Sequence, residues 1–121
     1  MKLEMDLIRG ILLWCNDNLP ENSIASSEIA ISGFTKNQIT FHIRLLADEG
    51  FIKVIDAGSN GDRFGCIPVH LTMRGYEFLE STKNDTIWNG MKEVAAKIGI
   101  KLIIDAIPIF LQILSKQAGL T

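Results

Sequence analysis

Apolar positions recur with a helical period near the start of this chain, give way to an extended run in the middle, and turn helical again beyond it. Met5, Ile8, Leu12 and Cys15 fall on one stripe, widened by Ile11, Trp14 and Leu19, which predicts a helix over residues 2–18. Asn18-Leu19-Pro20-Glu21-Asn22 ends it, because proline cannot continue the hydrogen-bond ladder. Residues 23–34 are harder to read. Ser26-Ser27-Glu28-Ile29-Ala30 suits the start of a very short helix, whereas Ile29 and Ile31 alternate with Ala30 and Ser32 as in a strand. The alternation favours a strand or an irregular segment. From Thr35 the helical period returns, with Ile39, Ile43 and Leu46 spaced by four and three. Gly50 then stands where a helix C-cap needs left-handed backbone, and Phe51-Ile52 opens an extended run.

Asn60-Gly61 is a hairpin signal, since both residues tolerate the positive φ of a tight turn. Residues 51–71 therefore read as a two-stranded wing. Pro68 cannot donate to a ladder, which places its strand at an edge or beside a bulge. Thr72 is positioned to cap the helix that starts at Met73. Asp85 is positioned to restart a helix, with Ile87, Met91, Val94 and Ile98 as its apolar row, and Gly99 as a break.

Two of these patterns carry a resemblance. The run I-x-x-H-I-x-x-L-x-x-x-G-F-I from Ile39 to Ile52 resembles the recognition helix and first wing strand of winged helix-turn-helix regulators. The run LT-x-x-G-x-x-F-L from Leu71 to Leu79 resembles the end of their wing. The chain is more closely similar to a family of small, often prophage-encoded winged-helix proteins of uncharacterised function. MKLEMDLIRGILL, FHIRLLADEGFI, LTMRGYEFLE and NDTIW carry that likeness, over about residues 1–90. It implies a fold that is mainly α with a small β wing: a winged helix-turn-helix, with the doubtful 23–34 segment making it degenerate, plus C-terminal helices. It also implies a mobile-element setting, and it supplies no activity. The expected organisation is a winged-helix domain over 1–83 and a helical extension over 84–121.

With 121 residues, 47% of them hydrophobic, the chain can bury a core without staples and is not a disordered polymer. Cys15 and Cys66 have no metal-ligand neighbours at suitable spacing and read as reduced, buried thiols of a cytoplasmic protein. Glu4, Asp6 and Arg9 interrupt the opening segment where a signal peptide needs an apolar core. The formal net charge of −2 argues against a sequence-tolerant coat for nucleic acid, which depends on neutralising phosphates. In residues 35–65, Lys36, Arg44, Lys53 and Arg63 are balanced by Asp48, Glu49, Asp56 and Asp62. A selective binder fits this balance better than an indiscriminate one.

The helix after Thr35 offers base-reading chemistry on the face opposite Ile39, Ile43 and Leu46. Asn37, Thr40, Phe41, Arg44 and Asp48 lie there, with Lys36 and Gln38 at the N-terminal end. Arginine suits guanine, asparagine or glutamine suits adenine, and threonine or phenylalanine suits a thymine methyl. A plain solvated face is the competing reading, and Phe41 serves equally as an exposed contact or as packing under a C-terminal helix. His42, on the flank of the apolar face, reads as a hydrogen-bonded structural histidine before a base contact. Arg63, beside the turn, is the wing's candidate for a phosphate or minor-groove contact. No glycine-rich phosphate loop, nucleophile elbow or metal-ligand cluster is present in the sequence, so neither catalysis nor a cofactor is expected.

From Ile100 to Leu114 nearly every residue is apolar, with Lys101, Asp105 and Gln112 as the interruptions. A helix apolar over most of its circumference has to be covered. The apolar run is too short for a bilayer span, and Asp105 and Pro108 fall inside it. Its own domain or a second copy can supply the cover; pairing with a second copy is favoured, with Ile103, Ile107, Phe110, Leu111 and Leu114 as the expected homodimer interface. Double-stranded DNA, a second copy of the chain, and a host or phage protein are the expected partners. A DNA-binding regulator and a protein-interaction module or inhibitor are the two function classes left open.

Overall fold

The computed structural model describes residues 3–56 and 65–98. Along the chain these form α1 (Met5–Asn18), a single 3-10 turn (Ser26–Glu28), α2 (Lys36–Asp48), β1 (Ile52–Asp56), β2 (Cys66–Leu71), α3 (Met73–Thr82) and α4 (Asp85–Ile98). The protein is mainly helical, and β1 and β2 pair as a small antiparallel sheet. Two compact units divide the chain between Tyr76 and Glu77, inside α3.

The first unit is built on the stripes expected from periodicity. Met5, Leu7, Ile8, Ile11, Leu12 and Cys15 of α1 are buried, as are Ile39, Ile43 and Leu46 of α2. Phe51, Ile52, Cys66 and Leu71 complete this core. Each fully buried side chain of this size contributes about 1.5–3 kcal/mol. α1 packs on α2 and β2, and α2 packs on the 3-10 turn and both strands. Leu7 widens the α1 stripe beyond the expected residues, while Trp14 and Leu19 are half-buried.

The two ends of α2 form by different chemistry. Thr35 and Gln38 make a reciprocal capping box: the Gln38 N–H donates to Thr35 Oγ1 at 3.2 Å, and the Thr35 N–H donates to Gln38 Oε1 at 2.9 Å. At the other end Gly50 takes φ +83°. The Phe51 N–H reaches back to the Leu46 carbonyl at 2.9 Å, and the Gly50 N–H to the Ala47 carbonyl at 3.0 Å. This pair of bonds is the Schellman arrangement, which satisfies carbonyls the helix leaves open.

The expected irregularity at Pro68 is present. Lys53 faces His70 while Val54 faces Pro68, so Val69 is the extra residue of a bulge. Of the two readings of Ile29–Ser32, strand or irregular segment, the irregular one holds, with no strand there among the described residues. The Glu28 N–H instead closes on the Ala25 carbonyl at 2.8 Å, giving a one-turn helix. Its alternating pattern lacks a strand partner, and only Ile29 of the alternating set is buried.

In the second unit, α4 is capped one residue earlier than expected and begins at Asp85 itself. Asn84, not Asp85, is the N-cap: its Oδ1 accepts from the Ile87 N–H at 3.0 Å. Asp85 sits in the first turn, where a carboxylate also favours the helix dipole. Ile87 and Met91 of the expected row are buried, with Trp88 beside them. The side chains of Val94 and Ile98 lie outside the description. At the end of α3 the buried hydroxyls of Ser81 and Thr82 turn back onto the Phe78 and Leu79 carbonyls, at 2.6 and 2.7 Å.

Candidate nucleic-acid interface

The candidate residues of α2 separate into those offered to solvent and those committed to the fold. Lys36, Asn37 and Asp48 are exposed, and Phe41 is half-buried. Asn37, Phe41 and Asp48 follow one another at intervals of four and seven, so they share a helical stripe. The Phe41 ring meets His42 edge-on, with centroids 5.4 Å apart.

Thr40 belongs to the other group. It is buried, and its hydroxyl donates to Ser26 Oγ at 3.0 Å. Ser26 Oγ also accepts from the Cys66 N–H at 3.3 Å. One buried serine thus joins the 3-10 turn, α2 and β2. Thr40 therefore does not stand on the outward face where its sequence position suggested. Gln38 is occupied by the capping box.

Arg44 is engaged as well. Its Nη1 donates to Asp56 Oδ1 at 2.9 Å and its Nη2 to the Gly65 carbonyl at 2.9 Å. Sequence position alone suggested an exposed arginine, but the fold lays it across the ends of both strands. Asp56 closes β1, and Gly65 directly precedes β2.

His42 is structural. It is fully buried, its Nδ1 donates to the Gln38 carbonyl at 2.7 Å, and its Nε2 accepts from the Glu4 N–H at 2.9 Å. These two bonds require the neutral ring protonated on Nδ1. Burial pushes its pKa below the ordinary 6.5, against the raising effects of the Gln38 carbonyl and the Glu4 carboxylate. The histidine ties the start of α1 to the first turns of α2. Cys15 and Cys66 are both buried. Burial pushes the Cys15 thiol up to about 12.

An open cleft of about 630 Å³ lies beside the N-terminal part of α2, lined by Glu28, Ile29, Ile31, Phe34, Lys36 and Ile39 among others. Among the described residues no cluster of histidine, cysteine, aspartate or glutamate could hold a metal ion. No helix among them is long and apolar enough to cross a membrane. Arg63 and the expected interface residues Ile103, Ile107, Phe110, Leu111 and Leu114 lie outside the described residues.

Several residues that organise this region escaped the reading of the sequence. The T-x-x-Q of Thr35–Gln38 is a capping-box signature and was available. The G of LT-x-x-G has a steric cause: a Cβ at Gly75 would stand 2.2 Å from the Phe51 carbonyl oxygen. Ser26 carried no local signal, because its partners lie 14 and 40 residues away.

Helix, short turn, helix, antiparallel pair and helix define a mainly helical protein compatible with a winged-helix-like arrangement. The chain belongs to the family described as hypothetical protein (DUF2513), whose model matches residues 2–101. It is 36% identical over 110 residues to an uncharacterized protein of Haemophilus influenzae, an alignment spanning 88% of this chain and 89% of that one. No solved structure matches the chain significantly.

Proposed function

We propose that this protein is a sequence-selective, DNA-binding transcriptional regulator of winged-helix type and of phage or prophage origin. The observation that carries the reading is the outward stripe of α2, with Asn37 exposed, Phe41 half-buried and Lys36 at the N-terminal end. A recognition helix directs its N-terminal residues at base edges. Asn37 suits adenine, Phe41 a thymine methyl, and Lys36 guanine or a phosphate. Arg63 is proposed as a further backbone contact on the strength of its place beside Asn60-Gly61. The apolar composition of residues 100–114 supports pairing of two copies, which would set the spacing of two half-sites.

Selection from a random duplex pool, followed by titration of the enriched sequence, tests the reading. Asn37→Ala and Phe41→Ala should each lose about 1–3 kcal/mol of affinity for that sequence. Failure to enrich any sequence would overturn it. Sedimentation equilibrium tests the pairing, and a monomer at tens of micromolar would end it.

A second reading has its own support. Gln38, Thr40 and Arg44 each bond to other groups of the protein, and the formal net charge is −2. Both favour a protein-interaction module or inhibitor that keeps this shape and binds a host or phage protein. Capture from lysate with and without nuclease separates the two: DNA-mediated partners vanish on nuclease treatment, and direct protein partners stay.

A further inference from the structure

We infer that Asp56 competes with DNA for the Arg44 guanidinium, and that a backbone phosphate displaces the Asp56 carboxylate on binding. The inference rests on the DNA-binding reading and deepens it, because it names a built-in brake on the same surface.

The guanidinium reaches both a side-chain and a backbone acceptor. Nη1 donates to the Asp56 carboxylate and Nη2 to the Gly65 carbonyl, both at 2.9 Å. The two bonds are unequal in kind. Gly65 is buried, and its oxygen is a fixed, neutral backbone acceptor. Asp56 is an exposed side chain at the end of β1: 78% of it is open to solvent, against 31% for Arg44. An ion pair this exposed is screened by water and salt and holds weakly.

The Gly65 bond steadies one arm of the fork, and the exposed Asp56 carboxylate on Nη1 is the partner that another anion can exchange with. What replaces Asp56 should be another anion, since a charge-assisted bond is stronger than one to a neutral acceptor. A phosphate offers the same oxygen chemistry, and the planar guanidinium fits it well. Lysine at this position would lack the fork that holds two acceptors at once.

The carboxylate acts in two ways. It occupies the donor that a phosphate would use, and it adds negative charge beside the approaching backbone. The two effects are separable by experiment, because only the first needs Arg44.

The test titrates the duplex enriched by selection from the random pool, at low salt, against five proteins: wild type, Asp56→Asn, Arg44→Gln, the double variant, and Asp48→Asn as a charge control on α2. Far-UV circular dichroism melting confirms that each is folded. Competition predicts that Asp56→Asn tightens binding roughly two- to fivefold, the factor expected for an exposed pair. The gain should exceed that of Asp48→Asn and should disappear in the Arg44→Gln background. Equal gains from the two aspartate variants, or a gain that survives without Arg44, would mean general repulsion and would overturn the competition while leaving DNA binding intact. Weaker binding by Asp56→Asn would mean that the pair shapes the surface for DNA, and it too overturns the competition. No binding by any of the five overturns the DNA reading and the competition with it.

Discussion

The two ends of α2 are fixed from different distances. At the N-terminal end, Thr35 and Gln38 cap the helix within three residues of each other. At the C-terminal end the local bonds of Gly50 and Phe51 are backed by a second fastening from the start of α3, more than twenty residues on. The Thr72 N–H donates to the Phe51 carbonyl at 3.0 Å, and the Thr72 hydroxyl donates to the Gly50 carbonyl. Arg74 Nη1 donates to the Glu49 carbonyl at 3.2 Å, with its guanidinium 5.3 Å from the Phe51 ring centre. A helix end closed by its own neighbours can stay at the surface and meet a ligand. An end closed by a distant segment is committed to the fold. The lesson is that the exposed candidates Lys36 and Asn37 stand at the end whose cap is made locally, ahead of the turn that His42 ties to α1.

The sharpest way to break this contrast is at Gly75. An added Cβ would meet the Phe51 carbonyl oxygen at 2.2 Å, and backbone atoms cannot swing aside. Gly75→Ala should cost about 2–3 kcal/mol or more, the scale of overpacking, as read by urea denaturation. A wild-type midpoint would show that α3 does not press on the exit of α2. Thr72→Ala comes next. It removes both the bond to Gly50 and the cap on the Gly75 N–H at 3.1 Å, and a loss of about 1–2 kcal/mol is expected. At the opposite end, Thr35→Ala should cost about 0.5–1 kcal/mol, less than either change at the α3 clamp. The reverse ranking would sink the contrast.

The smallest effect depends on pH. His42 is neutral in the fold, with its pKa held below 6.5 by burial. Its contribution is complete above the unfolded-state pKa and is lost as pH falls through the folded value. Stability of the wild type should therefore drop as the solution is acidified from neutral pH. His42→Gln should show a shallower drop in parallel denaturation curves, and identical slopes would remove His42 as their cause.

Much of this fold was legible because its signals are local. The spacing of Ile39, Ile43 and Leu46, the glycine at 50 and the threonine at 72 each express a rule that acts within a few residues. What could not be read was the pairing of polar groups across distance. Thr40 lies at the border between the polar and apolar faces of the helix, and Ser26 holds it inward. Arg44 lies on the same stripe, and Asp56, twelve residues later, draws it across the sheet. The segment at Ile29–Ser32 had the alternation of a strand, but a strand needs a partner as well as a pattern. Of the candidate contacts on α2, the sequence could place residues on a helix face but not say which were already spoken for.

The buried thiols give the first unit a built-in measure of its own breathing. Cys15 lies on α1 and Cys66 on β2, both within a percent of full burial. A thiol reagent attacks the thiolate, and a thiol held near pKa 12, as Cys15 is, supplies almost none at neutral pH. Labelling at Cys15 must then wait for the helix to leave the core, and labelling at Cys66 for the strand to do so. If both sites react at one rate, the helix and strand open together as a single cooperative unit. If Cys66 reacts first, the sheet comes loose while the helical pair stays closed, and natural residues alone would report the order in which the structure lets go.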